Sequence, residues 1–351
     1  MITADNAVLD EVLRLAAAVG CATECISDLG AARTQWASAP LVLIDEAAAA
    51  AGVADGLPRR SKVLVVCAGT PPATTWQHAF AVGAEDVVAL PEGESTLVAA
   101  FADVVDEPSR QRGQVLAVLG SRGGAGASVL AAGVGLTAAK AGEAVLLVDC
   151  DPLGGGIDLL LGTELAAGLR WPELRVQAGR VAMSALDAAL PARRYGDGGL
   201  AVLSCDRDGP GPTADAAGAV VDAGRRAGRM VVCDLPRQRG PVADAVLRRA
   251  DLVVVVVPAE VRACVAAARV IAGLGDCHER VRVVVRGPAP GGLAVADVAD
   301  AVGVPALGWV RSERTLPRAV ERGTFDPRPR GALGVACRTV LDAMGTGSTV
   351  Q

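Results

Sequence analysis

Apolar positions in the first hundred residues switch between two periods. From Val8 to Val19 they fall at 8, 9, 12, 13, 15, 16 and 19, the spacing of a helix with one buried face. Ala22 to Ile26 reads as a short strand and Ala31 to Ala39 as a helix. Leu41 to Ile44 and Val63 to Val66 are unbroken aliphatic runs, which predict strands covered on both faces. A helix over Thr75 to Val82, a strand over Asp86 to Leu90 and a helix over Glu94 to Val105, with Ser95 near its start, complete the segment. Met1-Ile2-Thr3 would be a very short first strand. Alternating strand and helix predicts a parallel sheet.

From residue 114 the alternation resumes with stronger strands. Val115 to Leu119 leads into the glycine-rich turn Gly120 to Ser128, then a helix from Val129 to Ala141. The strand Ala144 to Val148 ends in Asp149-Cys150-Asp151. Further strands are read at Leu200 to Leu203, Met230 to Cys233, Leu252 to Val257, Val281 to Val285 and Ala306 to Val310. Helices are read at 213–227, 241–249, 260–273 and 294–301. Parallel-reading units with crossover helices predict a doubly wound α/β sheet. The expected organisation is one domain at 1–106, a polar linker at 107–113, a second domain at 114–345 and a flexible tail at 346–351.

Composition changes this picture only in part. Of 351 residues, 51% are hydrophobic and 21% charged, a globular balance that excludes a disordered or fibrous chain. Aromatics are 2%, so the cores are expected to be Ala, Val and Leu. The net charge of −5 conceals a balance of −10 over residues 1–107 and +5 over 108–351, the change falling at the linker. Lys62 and Lys140 are the only lysines, as expected of a GC-rich genome. The longest aliphatic run, Leu252 to Val257, is far short of the roughly 20 residues of a membrane span. The acidic start (Asp5, Asp10, Glu11) has no basic n-region, so a cytoplasmic protein is expected. Cysteines are scattered without a CxxC, and Cys67, Cys150 and Cys233 lie in apolar strands as small hydrophobes of a reducing compartment. His78 and His278 are isolated, and without cysteine help or ligand spacing they do not suggest a zinc site.

The chemistry gathers at the glycine-rich turn. A strand, such a turn and a helix form an anion site, because backbone N–H groups converge on the helix N-terminus. A standard phosphate loop ends Gly-Lys-Ser/Thr; here Gly126-Ala127-Ser128 keeps the glycine and the hydroxyl and lacks the lysine. Two companions follow at strand ends, Asp149-Cys150-Asp151-Pro152-Leu153-Gly154-Gly155-Gly156-Ile157-Asp158 and Val231-Val232-Cys233-Asp234-Leu235-Pro236. Pro258-Ala259-Glu260 opens a helix after the longest strand.

In the order and spacing of these motifs, residues 114–345 resemble the MinD/ParA deviant-Walker ATPases, whose loop reads Lys-Gly-Gly-x-Gly-Lys-Ser/Thr. The preceding domain resembles a response-regulator receiver, a flavodoxin-like fold, and the fusion points to the CpaE/TadZ branch. Gly168-Leu169-Arg170-Trp171-Pro172-Glu173-Leu174, Gly179-Arg180-Val181 and Ala189-Leu190-Pro191 are similar to the actinobacterial septum site-determining proteins. The resemblance implies a P-loop fold, a homodimer around ATP or ADP with Mg²⁺, and a nucleotide loop of Arg122, Gly123, Gly124, Ala125, Gly126, Ala127, Ser128 and Val129. It implies Mg²⁺ at Ser128, Asp151 and Asp234, with Asp151 positioning the attacking water. Arg122 stands where the family places the lysine that reaches across its dimer, and Ala127 where it places the lysine on the β- and γ-phosphates. Transition-state charge stabilisation carries phosphoryl transfer, so hydrolysis is expected to be weak or absent. Arg286 occupies the place of an asparagine near the base and reads as a solvated strand end.

The receiver likeness is degenerate. Asp45 ends a strand as a phosphoacceptor would, but Leu90-Pro91 stands where a receiver has Lys-Pro, and Asp45 reads as an ordinary exposed aspartate. A dinucleotide-binding fold fits less well, since Val129 replaces the third glycine of the fingerprint. Seven arginines between Trp309 and Arg338 could track DNA, but read better as a solvated face, so nucleic acid is not an expected partner. The stripe Leu333, Ala336, Val340, Leu341 and Met344 reads as core packing, with no autonomous membrane anchor. The function expected is spatial regulation of septum formation through cell-division partners. Polar positioning of Tad pili with pilus-assembly partners is the alternative, and a ParA-like DNA-binding ATPase comes after it.

Overall fold

The computed structural model describes residues 1–105, 113–174 and 181–345. The tail, Gly179-Arg180 and the linker apart from Gly113 lie outside the described residues. The chain divides into two compact units, one built on 1–105 and the other on 113–174 and 186–345, with 181–185 grouping with the first.

The first unit has a parallel sheet of β1 (Val42–Ile44), β2 (Val63–Ala68) and β3 (Asp86–Leu90), in that order. Side chains alternate across a strand, so β2 feeds two cores. Val63, Val65 and Cys67 pack with Trp36 and Val82, whereas Leu64 and Val66 pack with Leu15, Leu97 and Phe101. The short strands expected at Met1-Ile2-Thr3 and Ala22–Ile26 are reduced to single parallel bridges from Ile2 to Ile26 and Ile44. Asp45 is a buried helix cap instead of an exposed aspartate. It accepts from Ala48 N at 2.7 Å, starting a helix at Glu46–Ala54, and from Thr3 Oγ1 at 2.7 Å and Ala4 N at 3.2 Å.

The second unit is an eight-stranded sheet. In chain order its strands are β4 (Val115–Gly120), β5 (Ala144–Asp149), β6 (Ala192–Tyr195), β7 (Gly198–Leu203), β8 (Met230–Asp234), β9 (Leu252–Pro258), β10 (Val281–Arg286) and β11 (Ala306–Val310). In space they run β11-β10-β9-β4-β8-β5-β7-β6. All neighbours are parallel except β6, which pairs antiparallel with β7. That hairpin corrects the all-parallel reading, which has no strand at β6. β6 is Ala-Arg-Arg-Tyr, an edge strand without an apolar period to announce it.

The chain goes from β4 to β5, β6 and β7 on one side, returns through β8 beside β4, and crosses to β9, β10 and β11 on the other, so the strand order reverses at β4. A crevice at the C-terminal strand ends is the place such sheets bind ligands. The helix Ala127–Lys140 leaves this point and is buried along most of its length. Gly133 on it faces the C-terminal helix Ala332–Ala343, where a Cβ would lie 2.9 Å from Cys337 Sγ. Leu333, Ala336, Val340, Leu341 and Met344 are all buried in the same core. Among the described residues no helix is long and apolar enough to cross a membrane.

Candidate functional site

The turn after β4 is shaped by its glycines. Gly124 (φ 71°) and Gly126 (φ 98°) adopt the left-handed backbone that other residues avoid, folding the loop back on itself. The helix begins directly after, with Leu130 N donating to Gly126 O at 3.0 Å. No side chain caps this terminus, so the first N–H groups of the helix are left for an external acceptor. A Cβ on Gly123 or Gly124 would meet nothing within 4 Å, so the loop opens onto free space. Ser121 is fully buried at its base, with an Oγ that has no hydrogen-bond partner.

Two strand ends bring acids to the start of that helix. Asp234 at the end of β8 is buried and accepts a hydrogen bond from the Ser128 hydroxyl. Burial, with repulsion from Asp149 and Asp151, pushes its carboxyl up to about 8 despite that bond. Asp149, opposite Asp234 across the β5–β8 ladder, is likewise raised by burial. Its oxygens accept from Asp151 N (3.1 Å), Ile157 N (3.2 Å), Ser204 Oγ (3.2 Å) and Cys205 N (3.4 Å). Asp151 is half-buried and caps a turn by accepting from Leu153 N at 3.1 Å. Ser128, Asp149, Asp234 and the glycines 154–156 line a cavity of about 390 Å³.

The cations lie elsewhere. Arg122 is held by both oxygens of Glu260, at 2.8 and 3.0 Å. Ala127 is half-buried and supplies no charge; Ala125 is buried, Val129 half-buried and Ser128 exposed. Lys140, at the far end of the helix, pairs with Asp326. Arg286 is not a solvated strand end. It is half-buried, and a Cβ at Gly126 would lie 3.6 Å from both its Cδ and its Nη1.

The supporting contacts of this region come from the fold. Asp149 anchors the whole 149–157 turn, and the indole of Trp171 donates to its carbonyl at 2.6 Å. Asp158, buried behind the turn, is clasped by Arg207 (2.9 Å) and Arg170 (3.3 Å) and accepts from Ser204 Oγ (3.2 Å). A polar Ser204-Cys205 closing an apolar strand was the available signal.

The residues fit a polyphosphate with a divalent cation. Open glycines, uncapped N–H groups and an orphaned buried hydroxyl suit phosphate oxygens. Asp234, crowded by Asp149 and Asp151, suits a dication. Among the described residues no group of three or more His, Cys, Asp or Glu side chains is arranged to hold a metal alone. A Mg²⁺ ion would therefore depend on phosphate oxygens, its usual habit.

Comparison with known proteins agrees with both units. Residues 2–113 match the family described as Rv3660c-like, CheY-like N-terminal domain. The uncharacterized protein Rv3660c of Mycobacterium tuberculosis is 45% identical over 347 residues, covering 97% of this chain and 96% of the relative. The MinC:MinD cell division protein complex of Aquifex aeolicus aligns over 68% of this chain and 98% of its own, with a TM-score of 0.53 at 23% identity. The septum site-determining protein MinD complexed with Mg-ADP from Pyrococcus horikoshii aligns over 68% of this chain and 98% of its own (TM-score 0.54, 14% identity). A ParA family ATPase from Chlorobium tepidum covers 66% of this chain and 98% of its own (TM-score 0.54, 13% identity). At these identities the likeness to solved structures is one of fold.

Proposed function

The chain belongs to the Rv3660c-like family, and from that membership and the geometry around Ser128 we propose that it is a nucleotide-binding spatial regulator of septum formation. It binds ATP or ADP with Mg²⁺, acts as a homodimer in the cytoplasm and works through contacts with cell-division proteins. The observation that carries this reading is the open glycine loop ending at an uncapped helix, with the Ser128–Asp234 pair beside it. Backbone N–H groups of Gly123 to Val129 hold phosphate oxygens. Ser128 and Asp234 hold Mg²⁺, which supplies charge neutralisation at those oxygens. Asp151, on the anchored turn, orients water. With Ala127 apolar and Arg122 engaged by Glu260, neither position of the family's two lysines brings a free charge to a transferring phosphoryl group, so the protein signals by occupancy more than by turnover. The likeness of Gly168 to Leu174 to septum site-determining proteins favours septation over pilus positioning; its Trp171 also supports Asp149.

The test compares wild type with Ala127→Lys for binding of fluorescent ATP and for phosphate release, alongside septum positions in cells depleted of the protein. We expect Mg²⁺-dependent binding by wild type, slow release that the variant accelerates, and misplaced septa on depletion. Wild-type protein that binds no nucleotide, or depleted cells with normally placed septa, would refute the reading.

A further inference from the structure

The lysine absent at 127 leaves a question of charge, and the fold answers it from another strand. Arg286 ends β10, which is separated from β4 only by β9. From there its side chain crosses the C-terminal strand ends to Gly126. A Cβ on Gly126 would sit 3.6 Å from Arg286 Nη1, so the guanidinium lies against the last loop residue before the helix.

No partner among the described residues rewards that placement. Arg286 Nε is buried without a hydrogen-bond partner, and no carboxylate among the described residues pairs with its head. Desolvating part of a guanidinium without an anion is costly. The position is also electrostatically wrong for the protein alone, because the helix N-terminus at 127 already carries positive dipole charge. Two like charges converge on one point, an arrangement that suits an anionic ligand. Other candidate cations are engaged: Arg122 with Glu260 and Lys140 with Asp326.

We infer that Arg286 is the cation of this phosphate site, contacting the polyphosphate of a bound nucleoside di- or triphosphate in place of the lysine absent at 127. The inference rests on the nucleotide-binding reading above and names the residue that supplies its charge. A guanidinium presents a planar fork of donors to phosphate oxygens, and it reaches them here from the sheet instead of from the helix. That difference of approach favours holding a nucleotide over driving its cleavage.

The experiment measures binding of fluorescent ADP to the full chain, and its displacement by inorganic tripolyphosphate, for wild type, Arg286→Met and Arg286→Lys. Methionine keeps the apolar stem and removes the charge. In Arg286→Met both the ADP dissociation constant and the tripolyphosphate needed for displacement should rise together, by about tenfold or more. Arg286→Lys should recover part of the loss, and Ala127→Lys added to Arg286→Met should recover binding from the helix side. The thermal midpoint of Arg286→Met should equal or exceed that of wild type, because a cation opposing a helix dipole has been removed. Unchanged binding of both ligands by Arg286→Met overturns the assignment. So does weaker ADP binding with unchanged tripolyphosphate displacement, which would place Arg286 on the base or ribose. Wild type that binds no ADP at all would refute the nucleotide reading itself, and is told apart by the absence of any signal before mutation.

Discussion

At the scale of single residues, two buried aspartates of the second unit show how the surroundings decide a charge. Burial works to raise Asp158, but the hydrogen bond and charge of Arg207, with further bonds from Leu159 N and Ser204, outweigh it and hold the carboxyl below the usual range. Asp234 is buried beside the like charges of Asp149 and Asp151 and receives only the Ser128 hydroxyl, so burial and repulsion raise its carboxyl to about 8. The sign for Asp158 follows from linkage. Its folded value is depressed, so its contribution is present above the unfolded value of about 4 and is lost as pH falls through the lower folded value. Acid unfolding followed by circular dichroism should therefore begin at higher pH in Arg207→Ala than in wild type. Asp158→Asn should be less stable at neutral pH and should lose this part of the pH slope. An unshifted acid transition in Arg207→Ala would show that Arg170 alone fixes the charge.

At the scale of elements, strands with continuous aliphatic runs and helices with a clear apolar face were legible. β3 spans Asp86–Leu90 and the last helix of the first unit Glu94–Val105, the bounds their patterns predict. The helix Glu46–Ala54 was not, because a run of alanines shows no period. Its start is set by Asp45, which also ties the chain entry through Thr3 and Ala4. The first unit thus uses for structure the aspartate that ends its strand, with both oxygens occupied. Asp45→Ala should lower the stability of this unit in urea by about 1–2 kcal/mol, and Asp45→Asn by less, since an amide oxygen still caps. Equal stability of Asp45→Ala and wild type would remove the cap from the account.

At the scale of the whole molecule, each unit has its own apolar core, and the residues of the candidate site all belong to the second. Leu97→Ala, at a fully buried position of the first unit, should cost that unit about 2–5 kcal/mol. It should make residues 1–105 protease-sensitive while ADP binding persists; loss of binding in step with cleavage would mean that the units fold as one. The sequence by itself determined the two α/β modules, the glycine loop, and the aspartates at 149, 151 and 234. Each of these is written within one strand–turn–helix unit, where periodicity and turn chemistry act over a few residues. Only the tertiary structure decided that Arg286 lies on Gly126, that Glu260 holds Arg122, and that Arg170 and Arg207 close on Asp158. Arg286 and Gly126, Glu260 and Arg122, and Arg207 and Asp158 come from different strand–turn–helix segments of the second unit. Spatial strand order departs from chain order wherever a crossover helix intervenes, so which strand ends meet is settled by how the sheet assembles.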